Sequence, residues 1–180
     1  MPFSCPDIET LKNDLDNNIV SVQKLKAVSH ATIKIQSLLN ITIYVLATRL
    51  LEGSVKHIIY NCCIMRGDSV TQLKTVESEL KKFNNPEFQK IKEIFVKHLA
   101  FDITDGLRNN WFCARDISFL DEIVKNRHRN VHASHDSANW YNNNIKDLND
   151  FYKEYEGLLN ILCYLDMIKW DSANSKFDIV

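Results

Sequence analysis

Residues 31–65 read ATIKIQSLLNITIYVLATRLLEGSVKHIIYNCCIM. Within this stretch Ile35, Leu38, Leu39, Thr42, Ile43, Leu46, Leu50, Ile58 and Ile59 recur at helical steps, which is the spacing of side chains that share a helix face. The apolar content is too high for one narrow stripe, so the segment is expected to be a central helix buried on more than one side. Gly67 and Asp68 follow and should end it. The longest apolar stretch inside it, residues 41–51, is cut by Thr42, Thr48 and Arg49 and is too short and too polar to span a bilayer.

The pattern spreads outward from this helix. Residues 8–28 carry Leu11, Leu15, Val20, Val22 and Leu25 as an apolar series, with Asp7 as cap and Glu9 in the first turn. Residues 70–82 form a further helix. Asn84-Asn85-Pro86 is a break, with Asn85 as cap and Pro86 at the first position of a helix that runs to Leu99 through Phe88, Ile91, Ile94 and Phe95. Asp105-Gly106 reads as a turn and residues 107–113 as a short helix. Asp116 caps a helix containing Ile117, Leu120, Ile123, Val124 and Val131. Residues 134–144 are polar and rich in Asn and Ser, which reads as a loop. A last helix over residues 145–170 buries Leu148, Tyr152, Tyr155, Leu159, Leu162 and Leu165, and the tail 171–180 is expected to fray.

Composition agrees with an all-α fold. Only 4 glycines and 3 prolines occur among 180 residues, too few for the many turns of an all-β fold. The expected architecture is a helical bundle of long antiparallel helices with extra short ones, in a single domain over 1–180 with its core in 31–170. A chain of this length buries roughly 70% of its unfolded surface and needs no disulfide or metal staple. The five cysteines, Cys5, Cys62, Cys63, Cys113 and Cys163, show no C-x-x-C spacing and read as small apolar filler. With no leader pattern at the start, a cytoplasmic location is expected. The net charge of −1 excludes a protein that coats nucleic acid through a basic surface, so any RNA contact should be local.

One segment carries the chemistry. Lys125, Arg127, His128, Arg129 and His132 fall within eight residues, at the end of an amphipathic helix, and His135 follows. Cutting RNA without a metal needs a base for the 2′-hydroxyl proton and a cation for the phosphate charge. Histidine titrates near neutrality, and arginine keeps its charge and binds phosphate oxygens through a planar fork. Five helical positions turn about 140°, so Arg127 and His132 do not share one face of a regular helix. Either the helix bends or ends there, or a second copy completes the site across a two-fold axis; the second is favoured. The bland alternative is a cap and ion-pair role at a helix end. Glu52 sits inside an apolar helix, where a charge requires a partner such as Lys56 or Arg49. His30, His57 and His98 lie in ordinary helical contexts and read as structural or exposed. Trp140 and Tyr141 can stack on an RNA base or pin a loop to the core. There is no H-E-x-x-H or other metal-ligand spacing and no Gly-rich phosphate loop, so neither a metal nor another cofactor is expected.

The run Arg127-His128-Arg129-Asn130-Val131-His132 resembles the R-x4–6-H motif of the HEPN superfamily. A polar residue follows the Arg there, as His128 does here, and a small residue follows the His, as Ala133 does. Residues 120–125 are similar to the family's motif helix, and residues 50–56 to the early helix of its RiboL-PSP-type branch, which includes toxin and phage-defence ribonucleases. The matching order spans residues 35–170. The resemblance implies a metal-independent endoribonuclease that leaves a 2′,3′-cyclic phosphate and a 5′-hydroxyl, with Arg127, His132 and Glu52 catalytic and with His128, Arg129, Asn130 and Lys56 supporting RNA binding. It also implies a homodimer with a composite interface site, RNA as substrate, a restraining antitoxin or nucleotidyltransferase, and no membrane. A non-catalytic HEPN module that binds RNA or protein is the alternative, and a helical adaptor with an incidental Arg–His cluster is another.

Overall fold

Helix α2, Ile33–Arg66, is the axis about which the other elements assemble. In its second half Ala47, Leu50, Leu51, Val55, Ile58, Ile59, Cys62 and Cys63 are all buried, so the helix is covered on more than one side, as its apolar density requires. The computed structural model describes residues 2–28, 33–131 and 148–180. Around α2 lie α1 (Pro6–Val28), α3 (Val70–Lys82), α4 (Phe88–Leu99), the single-turn α5 (Asp105–Arg108), α6 (Ala114–Val131) and α7 (Leu148–Asp166), followed by β1 (Ile168–Asp171) and β2 (Lys176–Ile179). Helix α2 packs on α1, α3, α4, α6, α7 and β1, while α6 packs on α7 and α4. The described chain is thus all-α apart from one two-stranded sheet. No helix among the described residues is long and apolar enough to cross a membrane.

Local chemistry sets the element ends. Gly67 closes α2 at φ 86°, a left-handed conformation that costs glycine nothing. Ser69 and Gln72 then form a reciprocal capping box: the Ser69 N–H donates to Gln72 Oε1 (2.8 Å) and the Gln72 N–H to Ser69 Oγ (3.4 Å). At α4 the expectation of an Asn85 cap fails. Asn85 is left-handed (φ 51°) and the helix begins at Phe88, whose N–H donates to Asp121 Oδ1 from α6 (2.8 Å). A tertiary carboxylate replaces the local cap. Asp116 does serve α6, but from inside: the helix starts at Ala114 and Asp116 Oδ2 accepts the N–H of Cys113 (2.8 Å). Asp105-Gly106 is the start of α5 rather than a turn, and residues 109–113 lie outside the helix. Asp102 Oδ1 holds the approach to α5 by accepting the N–H of Thr104 (3.0 Å).

Two buried stripes differ from the expected ones by a residue. In α7 the buried series is Leu148, Phe151, Tyr155, Leu158, Leu162 and Leu165, alternating steps of three and four, while Tyr152 is 59% exposed. In α1 the buried series is Ile8, Leu15, Ile19 and Val22, and Val20 and Leu25 are exposed. One residue is about 100° on a helix, enough to carry a side chain from core to water.

The tail is the larger correction. Residues 171–180 do not fray, and α7 ends at Asp166 rather than near Trp170. Ile168 pairs with Ile179 and Trp170 with Phe177 in an antiparallel hairpin. Phe177 is buried, with its ring 4.9 Å from that of Trp170 and 5.6 Å from the Arg66 guanidinium. Asp171 Oδ1 makes the turn by accepting the N–H groups of Ala173 (2.9 Å) and Asn174 (3.2 Å). Arg66 ties the hairpin end to the rest: Nη1 donates to the His98 carbonyl (2.7 Å) and Nε to Asp68 Oδ1 (2.7 Å). That hydrogen bond holds the Asp68 carboxyl below its ordinary range.

Cys5, Cys62 and Cys63 are buried free thiols. Desolvation pushes Cys62 up to about 12 and Cys63 up to about 11, so both stay protonated and behave as apolar filler. Cys163 is half-buried, and Cys113 is exposed and so lies outside the core.

Candidate active site

Glu52 and Arg127 are 75 positions apart in sequence and meet in space. Glu52 projects from the middle of α2, within a run held rigid by buried Leu50, Leu51 and Val55. Arg127 stands in the last turns of α6, just past buried Ile123 and Val124. Packing of α6 on α2 brings Arg127 Nη1 to 3.9 Å from Glu52 Oε2. The other carboxylate oxygen, Oε1, accepts from Lys56 Nζ at 2.6 Å, one helical turn on. The side chains of Arg127, Glu52 and Lys56 are 30%, 26% and 28% exposed. All three are reachable from solvent yet partly enclosed, which strengthens their mutual field relative to open water.

One carboxylate therefore sits between two cations. Of its two expected partners, Lys56 and Arg49, Glu52 takes Lys56, one turn along its own helix, and it adds one that was not expected, the Arg127 singled out for phosphate binding. Among the described residues the guanidinium, which carries five donors, meets Glu52 at 3.9 Å as an ion pair rather than a closed fork. A phosphate oxygen can take those donors while Glu52 holds the guanidinium in place.

The remaining proposed residues fall at the edge of what the structure describes. The backbone of α6 continues through His128, Arg129 and Asn130 to Val131, while their side chains lie outside the described residues. His132, the next residue, His135, and the 134–144 segment with Trp140 and Tyr141 also lie outside them, as does His30. Helix α6 is regular to Val131, the last described residue before the motif histidine.

Two polar residues beside this contact were not picked out by the sequence reading. Asn126, next to Arg127, is buried and its Nδ2 has no hydrogen-bond partner among the described residues; Ser54 Oγ on α2 is in the same condition. Each occupies a core phase of its helix, three residues after Ile123 and four after Leu50. A polar residue at a core phase was the available signal.

The other histidines divide. His98 is partly buried, its side chain 8% exposed, with Nε2 3.2 Å from Glu79 Oε2 but without an aligned hydrogen bond; desolvation lowers its pKa and favours the neutral ring. His57 is part-exposed beside Asp7.

Comparison of the chain with protein-family models, with curated proteins and with solved structures finds no match. The functional reading therefore rests on the geometry of Glu52, Lys56 and Arg127 and on the motif that contains Arg127.

Proposed function

We propose that this chain is a metal-independent endoribonuclease of HEPN type, acting as a homodimer, with a toxin or phage-defence role. The observation that carries the reading is the 3.9 Å approach of Arg127 to Glu52. Two residues from separate segments, both implicated in one reaction, lie side by side, Glu52 on α2 and Arg127 on α6, and His132 follows α6 in sequence.

In the proposed reaction His132 takes the proton of a ribose 2′-hydroxyl, and the freed oxygen attacks the adjacent phosphorus. Arg127 neutralises charge on the non-bridging oxygens as the five-coordinate state forms, an electrostatic contribution of the kind worth about 100–1,000-fold in rate. The departing 5′-oxygen takes a proton from an imidazolium, leaving a 2′,3′-cyclic phosphate and a 5′-hydroxyl. Glu52 orients the guanidinium, and Lys56 adds positive potential where the RNA backbone enters. His128, Arg129 and Asn130 extend the phosphate contacts.

The homodimer follows from angle and chemistry. Side chains five positions apart on a regular helix diverge by about 140°, and one imidazole cannot be base and acid in the same step. A two-fold axis beside the end of α6 supplies a second Arg127–His132 set. An active ribonuclease of this kind needs a restraining partner, such as an antitoxin covering the cleft.

The test is cleavage of RNA by the full chain in EDTA. Arg127→Ala and His132→Ala should each lower the rate at least about 100-fold with an unchanged circular dichroism spectrum. Activity that survives both substitutions overturns the proposal.

A further inference from the structure

Helix α1 begins against the C-terminal third of α2, and three side chains of different chemistry converge there. Cys5, Asp7 and His57 each offer one ligating atom, and the sulfur, oxygen and nitrogen all lie within 4.8 Å of one another. Asp7 Oδ2 is 3.4 Å from His57 Nδ1. Around a tetrahedral zinc ion, oxygen and nitrogen ligands at about 2.0–2.1 Å stand about 3.3 Å apart, and a sulfur at about 2.3 Å stands about 3.6 Å from either. The Asp7–His57 separation of 3.4 Å already matches that edge, and the Cys5 sulfur, within 4.8 Å of both atoms, stands at the third corner of a triangular face.

A surface ion pair accounts for Asp7 and His57 alone; it gives no reason for a sulfur at the same point. The thiol is also prepared for the role. Asn61, one turn after His57 on α2, donates from Nδ2 to Cys5 Sγ (3.7 Å), the outer-shell contact that favours a thiolate ligand. Cys5 is only 8% exposed, whereas the Asp7 and His57 side chains are 68% and 41% exposed. The cluster is therefore backed by core on the sulfur side and open to water on the other. Cys5 and Asn61 also line a surface cavity of about 380 Å³.

We propose that Cys5, Asp7 and His57 form a binding site for one zinc-type divalent cation, with its fourth position open to water. Sulfur and imidazole together select a borderline or soft ion over magnesium or calcium. Charge balances: a thiolate and a carboxylate neutralise the two positive charges, the imidazole binds neutral through one nitrogen, and the thiol proton is released to solvent. The ion would pin residues 5–7 to α2, next to where Ser4 already binds Asp166 through its N–H (2.6 Å) and hydroxyl (2.9 Å). His57 is five residues beyond Glu52, about 140° around α2 and about 7.5 Å along it. The site is thus separate from the Glu52–Arg127 contact and does not rest on the ribonuclease reading.

The experiment uses the full chain, stripped with chelator and exchanged into metal-free buffer. Zinc titrated calorimetrically should bind at one ion per chain, and Cys5→Ser and His57→Gln should each weaken that binding at least tenfold. Cobalt added to the unaltered chain should give tetrahedral visible bands together with a thiolate-to-metal charge-transfer band, a readout that needs no variant to fold. Zinc should raise the Tm of the unaltered chain and leave that of Cys5→Ser unmoved. Absence of saturable zinc binding, a cobalt spectrum without the thiolate band, or a thiolate band that persists in Cys5→Ser would each overturn the proposal.

Discussion

Replacing Arg127 with Gln separates a structural ion pair from a catalytic cation, because the two roles predict losses of different size. Arg127 Nη1 stands 3.9 Å from Glu52 Oε2. Two unit charges at that distance attract by about 4 kcal/mol at an effective dielectric of 20 and by about 1 kcal/mol in water. Both side chains are about 70% buried, and Glu52 keeps Lys56 at 2.6 Å after the change. Side-chain entropy and solvent screening reduce the net worth of such a pair to about 0.5–1 kcal/mol. For a chain of this length that is a Tm decrease of about 1–4 °C. The catalytic role predicts far more in rate. Loss of a preorganised cation at the phosphate costs about 100–1,000-fold, equivalent to about 2.7–4 kcal/mol in the barrier. The assay is single-turnover cleavage of an end-labelled RNA in EDTA, with thermal unfolding of the same preparation alongside. A rate within about threefold of the unaltered chain, or a rate loss fully accounted for by unfolding, would refute the reasoning.

Three further outcomes concern the fold around the site. Ser54→Ala removes a buried hydroxyl that has no partner among the described residues, and should raise stability by about 1 kcal/mol, read as a Tm increase of about 2–4 °C. Phe177→Ala should cost about 3 kcal/mol and lower the Tm by about 6–12 °C, whereas a fraying tail predicts no change. The Asp68 carboxyl is held low chiefly by its hydrogen bond from Arg66, so its contribution is full above the ordinary carboxylate range near pH 4 and is lost as pH falls through the depressed value. Asp68→Asn should therefore lower stability at pH 7 by about 2 kcal/mol and make the acid limb of a stability–pH curve shallower, as measured by urea unfolding.

The long helices were legible because each carries its own periodic signal, and α3 was read to the residue, Val70–Lys82. What failed was information held elsewhere in the chain. The start of α4 depends on Asp121, 33 positions away, which no local cap motif reveals. The hairpin over residues 168–179 does alternate apolar and polar residues, but its strands are only four residues each, too short a run to stand out, and its order comes from Phe177 docking beside Trp170 and Arg66. The α7 stripe was misplaced because the neighbours Phe151 and Tyr152 are both aromatic and Leu158 and Leu159 are identical, so composition alone did not choose between neighbouring phases. At the site, the pairing of Glu52 with Lys56 follows from spacing along one helix, whereas its approach to Arg127 requires the packing of α6 on α2. The cluster of Cys5, Asp7 and His57 escaped the sequence because His57 lies some fifty residues from the other two and the three form no spacing motif.

The central claim is that a guanidinium and an imidazole break the RNA backbone through the ribose hydroxyl. End-group analysis tests it most directly, using a synthetic RNA and its counterpart with a single 2′-deoxy residue at the cut position, both incubated with the full chain in EDTA. The account predicts a 2′,3′-cyclic phosphate and a 5′-hydroxyl from the first and no cut at that position in the second. A 5′-phosphate product, or equal cleavage of the deoxy-substituted strand, would contradict it.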